Sequence, residues 1–263
     1  MANIVLSAKS SNQWTFNELA GLNIRIENVD APSFLGSALP DPRTDSTLLA
    51  HPVLIGNLTH PSGVISKDNS LFFRYLQHAT RRFALGPATN SAVDDFTAFL
   101  LRMLDYDEPK HLVHQRMELD LIMCGQQVTA KPDVVVMNDQ DYILLVQHYM
   151  PQAEAEPQLI AAAIAAHYEN NRRRRTLGLP TVAAKAFAGI IMIGTAPTFY
   201  QIPVSEALVE AVGRGQYPPA ATVVRKLVPP VHNLRDHLYD GMVPLANRQI
   251  ILQCLGAFRQ FVV

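Results

Sequence analysis

The sequence predicts an α/β (α+β) protein with an αβββαβ core, in which helices flank a mixed central sheet. Three observations predict this class. Three short stretches of alternating or continuous apolar residues follow one another closely and indicate strands. An amphipathic helical pattern precedes them, and a long helical stretch and the apolar run GIIMIG follow them. In chain order, the core elements are predicted over residues 91–105, 114–123, 127–137, 142–149, 157–175 and 189–194.

Further elements are predicted on both sides of this core. Thr15 followed by Glu18 is the pattern of a capping box and predicts a short helix. Residues 30–68 are rich in proline and glycine, which predicts an extended, mostly irregular arm. We expect one compact domain in which an N-terminal arm, 1–70, packs on a core, 71–263, that ends in a C-terminal helix. The other predicted elements are strand 23–29, helix 71–82, strand 199–204, helix 205–212, strand 223–228 and helix 245–261.

The composition is that of a globular protein with a lightly charged surface. Hydrophobic residues make up 48% of the chain, charged residues 17%, and the net charge is −1. Such a chain can bury a sizeable core, and its charge argues against a basic face for nucleic acid, although a local basic patch stays open. Cys124 and Cys254 have no metal-type spacing, which predicts buried thiols in a reducing compartment. No secretory signal and no membrane span is predicted, so we expect a cytoplasmic protein, with a nuclear location left open.

Several strings carry a resemblance to a known superfamily. Pro132-Asp133 lies on the second predicted core strand, and the third strand ends in the polar residues 147–150. With the longer strings given below, this layout resembles the PD-(D/E)XK nuclease-like superfamily, and in particular a group of fungal nuclease-like proteins. The resemblance covers most of the chain and implies a restriction-endonuclease-like αβββαβ core. The longer strings are LLVQ, EPQLIAAAIAAHYENNRRRR and GTAPTFYQIPV, at residues 144–147, 156–175 and 194–204.

The resemblance implies a site in which two carboxylates from adjacent strands hold Mg²⁺ and a lysine helps to activate water. Asp133 matches the first carboxylate. The positions of the second carboxylate and the lysine hold His148 and Met150, and a shift by one residue puts Gln147 and Tyr149 there instead. Methionine carries no charge, and histidine suits Zn²⁺, Mn²⁺ or iron better than Mg²⁺. The sequence therefore predicts an eroded catalytic motif without ordinary Mg²⁺-dependent nuclease activity.

The same residues favour a different chemistry. A carboxylate beside an imidazole fixes its tautomer and supports acid–base catalysis near neutral pH. We expect Asp133, His148 and Tyr149 to be catalytic in an acid–base conversion of a small organic substrate, of cyclase or isomerase type. A non-catalytic binding protein is the alternative, and a divergent metal-dependent nuclease is the third interpretation. The residues expected to bind the substrate are Glu118, Gln147, Met150, Gln158 and Arg172.

No cofactor is predicted. A divalent metal, if one binds, would be held by Asp133, Glu118 and His148. Asp94 and Asp95 are further acids for such a site, since the superfamily that the chain resembles often adds an acid from the first core helix.

The expected partner is a small-molecule ligand. Nucleic acid is less favoured, no membrane contact is expected, and the oligomeric state stays open. The one basic run, Arg172–Arg175, ends the long predicted helix. A helix C-terminus attracts cations, which explains the run without a ligand, and contact with phosphate groups is the alternative.

Overall fold

The computed structural model describes residues 6–41, 46–51, 65–80, 90–148 and 154–262. In this part of the chain, helices lie against both faces of a central sheet. The helices are α1 (Phe16–Gly21), α2 (Ala31–Leu35), α3 (Ser46–Ala50), α4 (Lys67–Thr80), α5 (Asn90–Met103), α6 (Ala155–Thr176), α7 (Glu206–Arg214), α8 (Leu234–Asp240) and α9 (Leu245–Phe258). The strands are β1 (Ile24–Asn28), β2 (Leu112–Gln115), β3 (Leu119–Met123), β4 (Gln126–Ala130), β5 (Val134–Met137), β6 (Tyr142–His148), β7 (Ala184–Ile193), β8 (Ala196–Ser205) and β9 (Thr222–Leu227).

Seven of the described strands form one sheet in the order β1-β9-β8-β7-β6-β5-β2. The pairs β1/β9 and β6/β7 are parallel, and the other neighbours are antiparallel. α6 makes the crossover that the parallel pair β6/β7 requires. β3 and β4 form a separate hairpin. The prediction of an α/β protein with a mixed central sheet and flanking helices is confirmed.

The central strands are buried on both faces, which explains their continuous apolar sequences. Along β6, Leu144 and Val146 join the apolar cluster that includes α4, α5 and α9, whereas Leu145 joins the cluster that includes α6. α6 packs closely on the sheet because its centre is rich in alanine and because Gly189 of β7 has no side chain. A Cβ at Gly189 would lie 3.0 Å from Leu159 Cδ2, so any larger residue would press against the helix.

Two predicted strands are wrong in extent, because each is two strands. The predicted strand 114–123 is divided into β2 and β3 near Arg116, whose φ of 58° interrupts the extended backbone. The predicted strand 127–137 is divided into β4 and β5 by a segment that contains Pro132. Apolar residues alternate on both sides of each break, so the periodicity of the sequence does not reveal where the backbone changes direction.

The N-terminal region contributes a strand to the sheet. The capping box predicted from Thr15 and Glu18 is confirmed at the start of α1, and the predicted strand 23–29 is confirmed as β1 at the sheet edge. The described part of the predicted irregular arm contains α2 and α3. The buried Arg248 of α9 donates a hydrogen bond of 2.8 Å to the carbonyl oxygen of Leu48, which holds α3 against the core.

The two cysteines differ in burial. Both cysteines are free; Cys254 is buried and Cys124 is half-buried. Burial raises the pKa of the Cys254 thiol to about 12. Among the described residues, none of the helices combines the length and the apolar character needed to cross a membrane.

The C-terminal half of α6 is fixed to the sheet by polar contacts. Arg174 donates to both carboxylate oxygens of Asp141, at 3.0 and 2.7 Å, and Lys185 Nζ lies 3.7 Å from the same carboxylate. Asn170 exchanges two hydrogen bonds with the backbone of Tyr142. Burial acts to raise the pKa of Asp141, but the hydrogen bonds from Arg174 and the charge of Lys185 outweigh burial and lower the pKa.

We expect Asp141→Asn to lower the free energy of unfolding by about 3 kcal/mol at pH 7, since it leaves two cations without their shared carboxylate. An acid whose pKa is lowered by folding stabilises the protein above its unfolded value, and that contribution is lost as the pH falls through the folded pKa. The wild type and the variant should therefore converge in stability only as the pH falls through the folded pKa of Asp141, which lies below the ordinary aspartate value of 3.8. Urea denaturation between pH 7 and pH 2 measures both effects.

Glu210→Gln is the control, because it breaks an exposed ion pair within α7, between Arg214 and Glu210. It should cost less than about 0.5 kcal/mol at every pH. A similar cost for both variants would contradict the anchoring role of Asp141.

Candidate functional site

Polar side chains meet where β5 begins and β6 ends. β5 and β6 are antiparallel, Val134 pairs with Val146, and the backbone N–H of Asp133 donates to the Val146 carbonyl at 2.9 Å. Asp133 therefore lies opposite Gln147, next to His148. This pairing brings together the two ends of the motif that the sequence singled out.

Asp133 is held by two hydrogen bonds to one of its oxygens. Its Oδ2 accepts from the backbone N–H of His148 at 2.7 Å and from Gln147 Nε2 at 2.8 Å. These two donors fix the orientation of the carboxylate and direct Oδ1 away from them. Gln147 therefore supports Asp133, which is a more specific role than the substrate contact expected from the sequence.

A second carboxylate reaches the same place from α5. Residues alternate along β6, so His148 lies on the face of Leu144 and Val146, against which α5 packs. His148 Nδ1 contacts Asp94 Oδ1 and lies 3.6 Å from Asp133 Oδ2. One ligand atom from each of the three residues lies within 4.8 Å of the other two. Asp94, Asp133 and His148 are named here the acid–histidine cluster.

The acid–histidine cluster is largely buried. His148 is 5% exposed and Asp94 is 8% exposed, while the Asp133 side chain keeps 24% of its surface. Burial raises the pKa of Asp133 and the charge of Asp94 raises it further, against the opposing effects of His148 and the charge of Arg116. Two carboxylates in such a place need a cation to balance them.

The cluster also has polar atoms without hydrogen-bond partners. Among the described residues, Nε2 of His148 has no partner, and the contact between His148 Nδ1 and Asp94 Oδ1 lacks the geometry of a hydrogen bond. Unpaired buried polar atoms are costly, and a bound ion or ligand is one way to satisfy them. Two carboxylates and one imidazole match the preferences of Mn²⁺, Fe²⁺ or Zn²⁺ better than those of Mg²⁺. The residues present therefore fit a transition-metal ion.

The structure describes Glu118 and Gln158, two further residues expected at the site. Glu118 is exposed, and its carboxylate lies 2.5 Å from Lys131 Nζ, so it is not part of the acid–histidine cluster. Gln158 is buried in the first half of α6, and its Nε2 has no partner among the described residues. Tyr149 and Met150 lie outside the described residues.

Arg172 and the basic run lie far from His148. Asn170 binds Tyr142 at the start of β6, and His148 ends the same strand six residues later, about 20 Å away. Arg172 pairs with Glu169 and with Asp120. The other three arginines, at positions 173, 174 and 175, contact Tyr142, Asp141 and Glu206. The run therefore fastens α6 to its neighbours.

Asp94 of the acid–histidine cluster and the neighbouring Arg116 carry weak signals in the sequence. Asp94 lies near the start of α5. The sequence indicates it only as one of several acids that could join a metal site, without predicting which of them does. Arg116 is exposed, and its backbone N–H donates to the Asp133 carbonyl at 2.9 Å. No pattern identified Arg116, because it lies inside a stretch whose alternation predicted a continuous strand.

Comparisons with protein-family models and with curated proteins find no match to this chain.

We expect Mn²⁺ or Zn²⁺, at about 100 times its Kd, to raise the melting temperature of the wild type by about 5–10 °C. Asp133→Asn should abolish this response while keeping an oxygen for Gln147 and His148. Because burial raises the pKa of Asp133, ionising this group costs stability at neutral pH. The metal-free variant should therefore melt at the same temperature as the metal-free wild type or higher.

Glu118→Gln is the matched control, since it removes an exposed acid outside the cluster. It should leave the metal response intact. Equal responses in Asp133→Asn and the wild type would place any metal elsewhere.

Proposed function

We propose that this protein is a divalent-metal-dependent hydrolase of small phosphoesters, built on a PD-(D/E)XK nuclease-like core with a remodelled metal centre. The observation that carries the proposal is the convergence of Asp94, Asp133 and His148 within 4.8 Å, with the imidazole Nε2 left without a partner among the described residues.

The order of the elements supports the nuclease-like core. α5 is followed by β2, β5 and β6, which are antiparallel neighbours, then by α6 and by β7, which is parallel to β6. This is the αβββαβ order that the resemblance of the sequence implies, with the β3–β4 hairpin inserted between β2 and β5. Asp133 lies at the start of the second of these strands, where the superfamily has its first carboxylate.

The residues of the site have three roles in this proposal: metal binding, support of a metal ligand and attraction of the substrate. Asp94, Asp133 and His148 would hold the metal, and Gln147 would keep Asp133 in position, as outer hydrogen bonds commonly do for metal ligands. A bound divalent metal supplies an activated water near neutral pH and neutralises charge on a phosphate group. Arg116, an exposed cation beside Asp133, would attract the anionic substrate.

The burial of the site favours a small substrate. His148 and Asp94 are almost inaccessible, and the approach is along the partly exposed Asp133. A polynucleotide requires a continuous basic surface, and the arginine run at the end of α6 is paired and about 20 Å from His148. A small phosphoester needs neither a wide opening to the site nor a continuous basic surface.

A second candidate is metal-free acid–base conversion of a small organic molecule, with His148 as the proton carrier. It is favoured by the imidazole lying between two carboxylates, which would orient the ring for proton transfer. Met150 also favours it, since the metal-dependent motif has lysine at that position.

The test is hydrolysis of bis(p-nitrophenyl) phosphate in the presence of Mn²⁺, Zn²⁺ or Mg²⁺. The proposal predicts activity with Mn²⁺ or Zn²⁺ that exceeds activity with Mg²⁺. It also predicts a loss of at least about 100-fold in Asp94→Asn, which removes the charge of one metal ligand, and in His148→Ala, which removes another ligand. Activity found only in the double variant His148→Glu/Met150→Lys would contradict the proposal, because it would indicate a nuclease-like frame that has lost its catalytic groups.

Arg116→Gln should raise KM for the same substrate about tenfold, with kcat nearly unchanged. The change removes one charge-assisted contact worth about 1.5 kcal/mol, made equally in the ground state and the transition state. Metal binding followed by calorimetry should not change.

Arg25→Gln is the control for Arg116→Gln, because Arg25 is an exposed arginine on the edge strand β1. An equal rise in KM in both variants would mean that the effect comes from net charge alone.

A further inference from the structure

The strand β1 (Ile24–Asn28) lies at one edge of the central sheet and has an open outer side. On its inner side it pairs with β9, and on its outer side it pairs with no described strand. Such a strand presents a row of backbone N–H and C=O groups to which another strand can be added. The outer side of residues 24–28 is named here the β1 edge.

The pairing with β9 determines which backbone groups of β1 point outward. The Thr222 N–H donates to the Asn23 carbonyl at 2.9 Å, so the backbone groups of Asn23 point to β9. The direction alternates from one residue to the next, and the β1/β9 register is unbroken from residue 24 to residue 28. The residues whose N–H and C=O groups point outward are therefore Ile24, Ile26 and Asn28.

The charges of the β1 edge are complementary to a second copy of the same edge. Arg25 and Glu27 are both exposed, and they lie on the same face of β1. If two copies pair in antiparallel orientation about a two-fold axis at Ile26, Arg25 of each copy lies opposite Glu27 of the other. An axis at Arg25 or at Glu27 would instead place like charges opposite each other, which is destabilising. The charge pattern therefore selects the axis at Ile26.

The same register satisfies the outward backbone groups. Ile26 lies opposite Ile26 of the second copy, and Ile24 lies opposite Asn28, so each outward-pointing residue meets another. Each of these facing pairs exchanges two hydrogen bonds, which gives about six across the contact. Arg25 and Glu27 then face each other at the positions between these pairs, where opposite side chains of antiparallel strands are closest.

An apolar hollow lies beside the β1 edge, and its lining includes Phe16, Leu19, Ala20, Ile24 and Ile26. Phe16 is 51% exposed, although it is a large apolar residue. In the pairing described above, the two-fold axis is perpendicular to the joined sheet, so the hollows of both copies lie side by side on one face. Apolar surface covered there adds to the backbone pairing.

We propose that this protein forms a symmetric dimer through the β1 edge, with the two-fold axis at Ile26 and one sheet continuous through both copies. The acid–histidine cluster includes the end of β6, which is four strands away from β1, about 19 Å across the sheet. The dimer leaves that site open and does not depend on the proposed hydrolase activity. Arg25 acts on the site only through its net charge.

Sedimentation velocity of the full chain over a wide range of protein concentration tests the dimer. We expect a reversible equilibrium between monomer and dimer, without larger species. Arg25→Glu places acidic side chains opposite each other in both facing pairs, and Glu27→Arg does the same with basic side chains. Each variant should raise the Kd of the dimer at least tenfold.

Charge reversal tests the register. The double variant Arg25→Glu/Glu27→Arg restores opposite charges in the same register and should dimerise as the wild type does. A mixture of the two single variants should form a mixed dimer, because two acidic side chains of one copy then face two basic side chains of the other.

Ile26→Pro tests the backbone pairing. It removes an N–H group that points away from β9, and proline is tolerated on an edge strand in that orientation, so the fold should be kept. It should also raise the Kd at least tenfold. Arg214→Glu is the matched control for Arg25→Glu, because it changes the net charge equally at an exposed position of α7, and it should dimerise as the wild type does.

Melting curves establish that each variant is folded, and the charge variants decide the question if Ile26→Pro does not fold. A wild type that is monomeric at every concentration would overturn the proposal and leave the β1 edge to a different protein. Species that grow beyond the dimer would indicate head-to-tail pairing with another surface. Single charge variants that dimerise as the wild type does, or a folded double variant that stays monomeric, would exclude the proposed register.

Discussion

The backbone pairing of β5 with β6 decides which side chains meet at the candidate site. Val134 lies opposite Val146, so Asp133 lies beside Gln147 and within reach of the His148 N–H. Because successive side chains of a strand point to opposite faces, a slip of one residue would turn His148 away from Asp94 and α5. The pairing is fixed by burial of β6 on both faces, where Leu144, Leu145 and Val146 are fully enclosed. The chemistry of the site therefore depends on the packing of its least polar strand.

That packing also compensates for an unfavourable cluster of charge. Two carboxylates approach one imidazole in a nearly closed space, and burial raises the pKa of Asp133. Asp141 is a buried acid of a different kind, because it receives two hydrogen bonds from Arg174 and its pKa is lowered. Asp141 therefore stabilises the attachment of a helix, whereas Asp94 and Asp133 are kept together at a cost in stability. Such a cost is typical of functional sites.

The elements of the fold could be predicted from the sequence wherever one local rule decided them. Thr15 and Glu18 identified a cap, and the apolar runs of β6 and β7 identified buried strands. The division at Arg116 could not be predicted, because a single residue with positive φ leaves the alternation of its neighbours unchanged. Glu118 and Arg172 were expected at the site on grounds of residue type. Their distance from it depends on how β3 and α6 pack, which no local pattern encodes.

The proposed function implies a departure from the nuclease motif that is smaller in space than in sequence. Along the chain, His148 stands at the position that the resembled motif gives to the second carboxylate, and only Asp133 matches that motif. In the fold, Asp94 of α5 contacts that histidine, so two carboxylates still converge and the imidazole is added to them. Under the proposed function the donor set would contain nitrogen as well as oxygen, which favours Mn²⁺, Fe²⁺ or Zn²⁺ over Mg²⁺. Arg116 supplies a positive charge beside Asp133, although as a guanidinium it can attract an anion and cannot serve as a proton acceptor. The proton of an attacking water would then have to leave through the carboxylates or through solvent at the exposed side of Asp133.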